Sequence, residues 1–286
     1  MKEVVSSLPE VERLGGKTNK SFAITFNRQT LVLRVPGKGT ESYICRDSEG
    51  RILQQLTGTG ISSDVLYFDE QAGILLTDFL RGYQPLARGD FADAAMLEKA
   101  VAVFKKVHQL ELPFESSFYP AEIISKFNEI INSRNIPLPD IARVCQKTAQ
   151  SLLDTINWAE LAQANCHCDS LADNFMFNRQ SGDLRLIDWE YAGRSYILYE
   201  LADFAVDKEQ QADWDNRLLE LYHGQAVSEQ VRLTFQRCKV LCDYLWGLWA
   251  LIQYQDKQEL SLYDYALYRF SRCAGNIDRE LATPAY

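Results

Sequence analysis

The sequence predicts an α+β chain in which a smaller, β-rich part precedes a larger, mostly helical part. Alternating apolar and polar residues indicate strands early in the chain, for example at 22–26 and 31–35. Farther along, apolar residues recur at helical spacing, beginning with 91–107. We therefore expect two domains, spanning residues 1–81 and 82–286.

The composition is that of an ordinary globular protein. The chain has 286 residues, of which 47% are hydrophobic and 24% charged. Its net charge of -9 disfavours nucleic acid, whose binding needs clustered Lys and Arg, and suits a cationic substrate. No apolar run approaches the ~20 residues of a membrane span, and residues 1–7 lack the apolar core of a signal peptide. The seven cysteines include no C-x-x-C pair and indicate reduced thiols, so we expect a cytoplasmic protein.

The β-rich part begins with a glycine-containing loop. A loop such as Gly15–Ser21 before a strand can expose backbone N–H groups to phosphate oxygens, with Thr18 and Asn19 as the candidates. A plain hairpin turn is the alternative. Arg34 is a charge on a strand otherwise made of Leu and Val, so it is either a functional cation or a solvent-facing residue.

Helices and a second hairpin complete the expected elements. Residues 40–56 have a helical pattern with a break expected near Gly50, and Asp90 is the expected N-cap of a helix that ends near Leu110. The remaining elements are a hairpin at 65–69 and 73–79 and helices at 123–131 and 141–156.

The most informative stretch is an H-x-D-x-x-x-x-N motif that starts at His167. Asp169 lies on a loop, Asn174 starts a short apolar strand, and the chain returns through a second strand to Asp188. This hairpin is expected to bring Asn174 close to Asp188, and two such oxygen ligands suit a magnesium-bound phosphate. Asp169 is then available for a substrate hydroxyl. A polar loop that joins two core strands is the alternative.

A second motif lies near the C-terminus. Trp246 and Trp249 are three residues apart and so share one helix face, and the next helix carries Tyr265. Gly247, between the two indoles, allows a backbone or a ligand to approach closely. Aromatic faces from two helices can form a box that holds a quaternary ammonium group by cation–π attraction. Ordinary core packing is the alternative.

These motifs resemble those of the choline/ethanolamine kinase family, in the superfamily of the aminoglycoside phosphotransferases. The loop is typical of kinases, but Asp188-Trp189-Glu190 replaces the D-F-G of protein kinases. W-G-L-W-A-L-I-Q followed by Y-D-Y-A-x-x-R-F is similar to the C-terminal region of the family. The resemblance runs from Gly15 to Phe270. It implies a protein-kinase-like bilobal fold, with a small β-rich N-lobe and a larger helical C-lobe, and ATP and Mg²⁺ as cofactors.

The resemblance also implies a role for each candidate residue. Asp169 would orient the substrate hydroxyl or accept its proton, while Asn174 and Asp188 would hold the metal. The expected nucleotide contacts are Thr18, Asn19, Arg34 on the phosphates, its helix partner Glu49, and the hinge residues Asp78, Phe79 and Leu80. The expected substrate contacts are Glu190, Glu200 (where the family usually has Asp), Trp246, Trp249 and Tyr265.

The resulting hypothesis is an ATP-dependent phosphotransferase acting on the hydroxyl of a small, cationic amino alcohol, with choline first. One alternative is the same chemistry on ethanolamine, thiamine or an aminoglycoside. A polycationic aminoglycoside is expected to meet acidic loops rather than paired Trp residues. The other alternative is a binding module that has lost catalysis, against which the intact Asp169, Asn174 and Asp188 argue.

Overall fold

The computed structural model describes residues 9–15, 19–37, 40, 43–208 and 212–281. The described residues form two compact units: those up to Pro85 with Phe175–Glu190, and those of Leu86–Asn174 with the ones from Tyr191 onwards. The strands are β1 (Glu10–Arg13), β2 (Lys20–Phe26), β3 (Gln29–Val35), β4 (Val65–Asp69), β5 (Ile74–Asp78), β6 (Tyr83–Pro85), β7 (Gln163–Cys166), β8 (Phe175–Asn178), β9 (Leu184–Leu186) and β10 (Gly193–Tyr196). The helices are α1 (Arg46–Leu56), α2 (Ala94–His108), α3 (Pro120–Ser133), α4 (Asp140–Thr155), α5 (Ile197–Lys208), α6 (Ala212–His223), α7 (Glu229–Lys257) and α8 (Leu260–Leu281).

The first unit is built on a five-stranded antiparallel sheet in the order β1-β2-β3-β5-β4. Asn27 and Arg28 join β2 to β3 with φ angles of 49° and 66°, which fit a tight hairpin turn. β3 then pairs with β5, with Leu33 opposite Leu76. The strand that carries Arg34 is therefore the central strand of the sheet.

Helix α1 also belongs to the first unit. It begins at Arg46, later than the 40–56 pattern predicts, and Gly50 does not interrupt it. A Cβ atom on Gly50 would lie 2.6 Å from a ring carbon of Phe68 on β4, so this glycine admits the aromatic ring. The predicted hairpin is confirmed as β4 and β5.

A second sheet, β6-β8-β9, also belongs to the first unit. Trp189 follows β9, and its buried indole N–H donates to Ser62 Oγ and to the carbonyl of Leu186, both at 3.0 Å. The Leu186 N–H donates to the carbonyl of Ile61 at 2.8 Å. These bonds fix the segment Asp188–Glu190 against the rest of the unit.

The second unit is mainly helical, with α7 at its centre. Every residue of α7 from Cys238 to Gln253 is buried, as in a helix that is surrounded by other elements. A Cβ atom on Gly247 would lie 2.6 Å from the Phe270 ring of α8. Phe270 therefore takes the space that the sequence suggested for a backbone or a ligand, and Gly247 serves the packing of α7 on α8.

The helices of the second unit largely follow the expected pattern. Helix α2 is capped by Asp93, whose side chain accepts from the N–H groups of Ala95 and Met96, so the prediction of Asp90 as N-cap is wrong. Asp90 instead lies in a 3-10 turn and accepts from the Ala87 N–H at 2.8 Å. The helices expected at 123–131 and 141–156 are confirmed as α3 and α4.

Among the described residues, no helix combines the length and the apolar character needed to cross a membrane.

Candidate active site

Arg34 is the centre of a buried charge cluster in the first unit. It is only 6% exposed, so it is not the solvent-facing residue of the alternative interpretation. Its guanidinium forms the expected ion pair with Glu49 of α1 and donates to Asp188 Oδ1 at 2.8 Å. Burial lowers the pKa of Arg34, but the carboxylates of Glu49, Asp188 and Glu190 outweigh it and hold the pKa above its ordinary value.

Arg46 is a second cation in this cluster and is not found by the sequence analysis. Its guanidinium donates to Glu49 Oε2 at 2.7 Å, to Glu190 Oε2 at 3.3 Å and to Thr40 Oγ1 at 2.9 Å. Glu49 therefore accepts from Arg34 and Arg46 together. The R-x-x-E spacing on α1 is the one signal in the sequence that points to this residue.

Asp188 is the candidate ligand for a divalent cation in this cluster. Its side chain is 30% exposed, and the Asn19 amide N–H₂ donates to Asp188 and, at 3.0 Å, to Glu190. The Asn19 amide oxygen is buried and has no hydrogen-bond partner among the described residues. Carboxylate and amide oxygens are ligands of Mg²⁺, so this donor set fits the ion. Thr18, the other residue expected in the glycine loop, lies outside the described residues.

Glu190 is a buried acid in the same cluster. Burial, followed by the nearby Asp188 carboxylate, raises its pKa to about 7. The Arg34 guanidinium and the Asn19 amide oppose that shift. Glu190 thus lies beside Asp188, the candidate metal ligand, and is held by residues of its own unit.

The expected hinge residues lie farther along the same sheet. Asp78 ends β5 and pairs with Leu31, three residues along β3 from Arg34. A cavity of about 460 Å³ opens beside this segment. Its lining residues are Arg28, Gln29, Thr30, Asp78, Phe79, Leu80, Arg81, Tyr83 and Arg185.

The loop with Asp169 belongs to the second unit, where it follows β7. Asp169 and Asn174 are both nearly buried. The Asn174 amide donates to the Asp169 carbonyl at 2.9 Å and to its carboxylate at 3.4 Å. Cys168 has a φ of 64°, a left-handed conformation that turns the chain sharply before Asp169. The structure therefore brings Asp169 and Asn174 together, as the motif suggests.

Helix α5 holds this loop through two carboxylates that lie about two helical turns apart. Glu200 accepts from the backbone N–H groups of His167 and Cys168. Asp207 accepts from the Ala172 N–H at 3.0 Å. The expected contact of Glu200 with the substrate stays a prediction, and what the structure shows is its contact with the loop. Its carboxylate is fully buried and occupied by the loop, because the longer side chain still reaches the backbone that it braces.

His108 at the end of α2 also contacts Glu200. The imidazole Nε2 lies against the Glu200 carboxylate, and Nδ1 lies 2.7 Å from the Tyr222 hydroxyl. Burial lowers the pKa of His108, but hydrogen bonding to Cys166 and to Glu200 outweighs it and raises the pKa to about 10. His108, Cys166 and Glu200 are metal-ligand types and lie close together. The direct contact of imidazole with carboxylate nevertheless indicates an ion pair.

The two indoles of the expected aromatic box are fixed by hydrogen bonds. Trp246 Nε1 donates to Asp203 Oδ1 at 2.6 Å, and Trp249 Nε1 donates to the Tyr191 hydroxyl at 2.7 Å. The rings of Trp246 and Trp249 meet edge to face with centroids 5.9 Å apart, and those of Tyr191 and Trp246 do so at 5.3 Å. Tyr191 is not among the residues predicted from the sequence to form this box, although its position directly after Glu190 is a signal.

Tyr265 lies in a neighbouring polar cluster. Its hydroxyl accepts from Arg269 Nε at 2.8 Å, and Arg269 is paired with the buried Asp243 of α7. The Tyr265 ring stacks on Tyr268 with centroids 6.3 Å apart. Tyr265 is thus held rigidly on α8.

Residues 11–223 match the sequence profile of the family described as Choline/ethanolamine kinase. The chain belongs to this family. Protein LicA of Haemophilus influenzae is 23% identical over 263 residues, which cover 90% of this chain and 76% of the relative. Ethanolamine kinase 1 of Mus musculus is 26% identical over 298 residues, which cover 90% of this chain and 80% of the relative.

Solved structures agree with membership of the choline/ethanolamine kinase family. A family protein from Mesorhizobium loti aligns with a TM-score of 0.79 and 29% identity, over 98% of this chain and 93% of that chain. The choline kinase LicA from Streptococcus pneumoniae aligns with a TM-score of 0.83 and 25% identity, over 94% and 93%. An aminoglycoside phosphotransferase, APH(4)-Ia, shares the fold with a TM-score of 0.70 at 17% identity.

The expected protein-kinase-like fold and the expected family are therefore confirmed. The protein is an ATP-binding small-molecule kinase, a phosphotransferase of the choline/ethanolamine kinase type.

Proposed function

We propose that this kinase transfers the γ-phosphoryl group of Mg²⁺-bound ATP to the hydroxyl of choline in preference to ethanolamine. The observation that carries the choice of choline is the pair of fixed indoles, Trp246 and Trp249, with the Asp203 carboxylate bonded to the first. A trimethylammonium group has no N–H to donate, so its recognition depends on aromatic faces and nearby negative charge.

The nucleotide is assigned to residues of the first unit. Arg34, held by Glu49, would bind the phosphates through charge-assisted hydrogen bonds. The backbone of the hinge residues Asp78–Leu80 would bind adenine, as the family resemblance implies. These assignments are supported by the central position of Arg34 in the sheet and by its burial among carboxylates.

Mg²⁺ is assigned to Asn174 and Asp188, with Glu190 as a neighbouring acid. When bound, the ion would neutralise charge on the β- and γ-phosphates. The assignment to Asp188 is supported by its partly exposed carboxylate and by the nearby amide oxygen of Asn19, which has no hydrogen-bond partner among the residues that the structure describes. Asn174 is assigned from its place in the motif.

Asp169 is assigned to the acceptor hydroxyl. Its carboxylate would orient the hydroxyl and accept its proton as the oxygen attacks the γ-phosphorus in line. The support is the hydrogen bond from the Asn174 amide, which fixes the Asp169 side chain, together with the bracing of the loop by α5. Trp246, Trp249, Tyr191 and Tyr265 would surround the ammonium group.

Ethanolamine is the second candidate, since several relatives are named ethanolamine kinases. The test is kcat/KM for ethanolamine, its N-methyl and N,N-dimethyl derivatives, and choline, each with saturating Mg·ATP. We expect kcat/KM to rise with each added methyl group because the aromatic faces attract the methylated cation. A kcat/KM that falls along the series would contradict the choice of choline and favour ethanolamine.

A further inference from the structure

Lys208 is a fully buried cation at the end of α5. It is 3% exposed, and its Nζ donates to Asp207 Oδ2 at 2.8 Å and to the backbone carbonyl of Ser170 at 3.0 Å. Nζ also lies 4.3 Å from the centre of the Phe204 ring and 5.0 Å from that of Phe91. A buried charge is costly unless it is paired, and here a carboxylate, a carbonyl and two aromatic faces compensate it.

The carbonyl that Lys208 binds belongs to the residue directly after Asp169. The Ser170 N–H and hydroxyl both lie 3.4 Å from Asp203 Oδ2, to which they donate. Two successive peptide groups after Asp169 are thus attached to α5, the first through Asp203 and the second through Lys208. The backbone beside Asp169 is therefore held on both sides of Ser170.

Asp207 makes the attachment of Lys208 rigid. Its carboxylate accepts from the Ala172 N–H at 3.0 Å as well as from Lys208, and Arg88 approaches it to 3.3 Å. Lys208 and Asp207 hold Ser170 and Ala172 respectively, so the pair spans the backbone between Asp169 and Asn174. A change at Lys208 acts on the residues that the motif assigns to catalysis.

We propose that Lys208 is a positioning residue for Asp169. By fixing the Ser170 carbonyl, its ammonium group sets the direction in which the Asp169 carboxylate leaves the backbone. This inference rests on the proposed role of Asp169 at the acceptor hydroxyl. A misplacement of about 1 Å at a reacting group can cost up to about a hundredfold in rate, so a loose loop lowers kcat without weakening ATP binding.

The chain offers a closely matched control in Lys239. This lysine of α7 is also buried, binds Asp215 of α6 at 2.6 Å, and lies 5.8 Å from the centre of the Phe235 ring. Gln236 also donates to Asp215 at 3.0 Å, and Arg88 forms an ion pair with Asp207. Lys239→Met and Lys208→Met therefore each remove a buried lysine from an aspartate that keeps another partner.

The experiment compares Lys208→Met with Lys239→Met in two measurements. Methionine keeps an unbranched apolar chain that can pack against the rings. Lys208→Met is expected to lower kcat at least about tenfold and to change the ATP KM less than about twofold, whereas Lys239→Met keeps the parental kcat. In the Asp169→Asn background, Lys208→Met should add little further loss, because it acts through the residue already removed.

Hydrogen–deuterium exchange of the peptide that covers 167–174 tests the attachment without reference to any acceptor. Lys208→Met should increase exchange there, and Lys239→Met should not. If Lys208→Met folds poorly, Asp207→Asn/Lys208→Met removes both charges and is measured instead. Unchanged exchange, or a kcat loss that Lys239→Met shares, would overturn the role of Lys208. A parent that phosphorylates no amino alcohol would instead overturn the proposed function, while the exchange result still decides the attachment.

Discussion

The indole N–H of Trp246 donates to the Asp203 carboxylate at 2.6 Å, and both groups are buried. The same carboxylate accepts from the N–H and the hydroxyl of Ser170, the residue after Asp169. Asp203 therefore connects an indole assigned to the ammonium group of the acceptor with the loop assigned to its hydroxyl. The two ends of a small amino alcohol would be aligned by one side chain.

The aromatic assignment predicts a selective loss of acceptor binding. Trp246→Ala or Trp249→Ala should raise the choline KM over about tenfold, because a desolvated cation–π contact is worth roughly 2 kcal/mol. The ATP KM should change little. Trp158→Ala, at a half-buried Trp of the same unit, controls for the loss of an indole in general. If both variants handle choline as the parent does, the two Trp residues are core packing alone.

Asp203 predicts a pH dependence of acceptor binding. Burial, partly opposed by the Trp246 hydrogen bond and the Arg269 charge, raises its pKa to about 6. Below that pH the carboxylate gains a proton and loses its negative charge, so the choline KM should rise as the pH falls from 7 to 5. Asp203→Asn, which is neutral throughout, should have a higher KM at pH 7 and a flatter profile. A parental KM that stays constant over this range would exclude Asp203 from acceptor binding.

The assignment of Arg34 to the phosphates predicts a selective loss of ATP binding. Arg34→Ala should raise the ATP KM by about tenfold or more, because a charge-assisted contact is worth roughly 1.5–3 kcal/mol, and should change the choline KM far less. Arg51→Ala is the control, since Arg51 is a partly exposed arginine of α1 paired with Asp47. An ATP KM like that of the parent would leave Arg34 with a purely structural role.

Asp188 predicts the metal dependence of nucleotide binding. Calorimetric titration of the parent with ATP should show tighter binding when Mg²⁺ is present, and Asp188→Ala should abolish that difference because it removes the carboxylate assigned to the ion. Asp183→Ala, which removes a half-exposed carboxylate of the same unit, is expected to retain it. If Asp188→Ala and the parent bind Mg·ATP with equal affinity, Asp188 is not a ligand of the metal.

The sequence predicts those parts of the site that depend on local spacing. The motif from His167 to Asn174 fixes the loop, and a cation on a central strand predicts a helix carboxylate as its partner, which is Glu49. Such relationships follow from residues close in the chain or from a pattern shared by kinases. Local spacing is less decisive where two equivalent residues compete, as Asp90 and Asp93 do for the N-cap of α2.

The features that the sequence analysis missed depend on tertiary contacts. Arg46 and Lys208 resemble surface cations until the fold brings Glu190 to Arg46, and the Ser170 carbonyl and the Phe91 ring to Lys208. Gly247 suggests space for a ligand in the sequence, but the Phe270 ring of the next helix occupies that space. Glu200 is expected from the family resemblance to contact the substrate, whereas in the structure its carboxylate accepts from the loop backbone. In each case a partner distant in sequence decides the role.

The most direct test of the central claim is a ³¹P NMR time course of phosphoryl transfer. The purified parent and Asp169→Asn are each incubated with Mg·ATP and equimolar choline and ethanolamine. Phosphocholine should accumulate first with the parent, and Asp169→Asn should form almost none while still binding ATP, because its amide cannot accept the hydroxyl proton. A parent that phosphorylates neither alcohol, or an Asp169→Asn variant with near-parental turnover, would contradict the account.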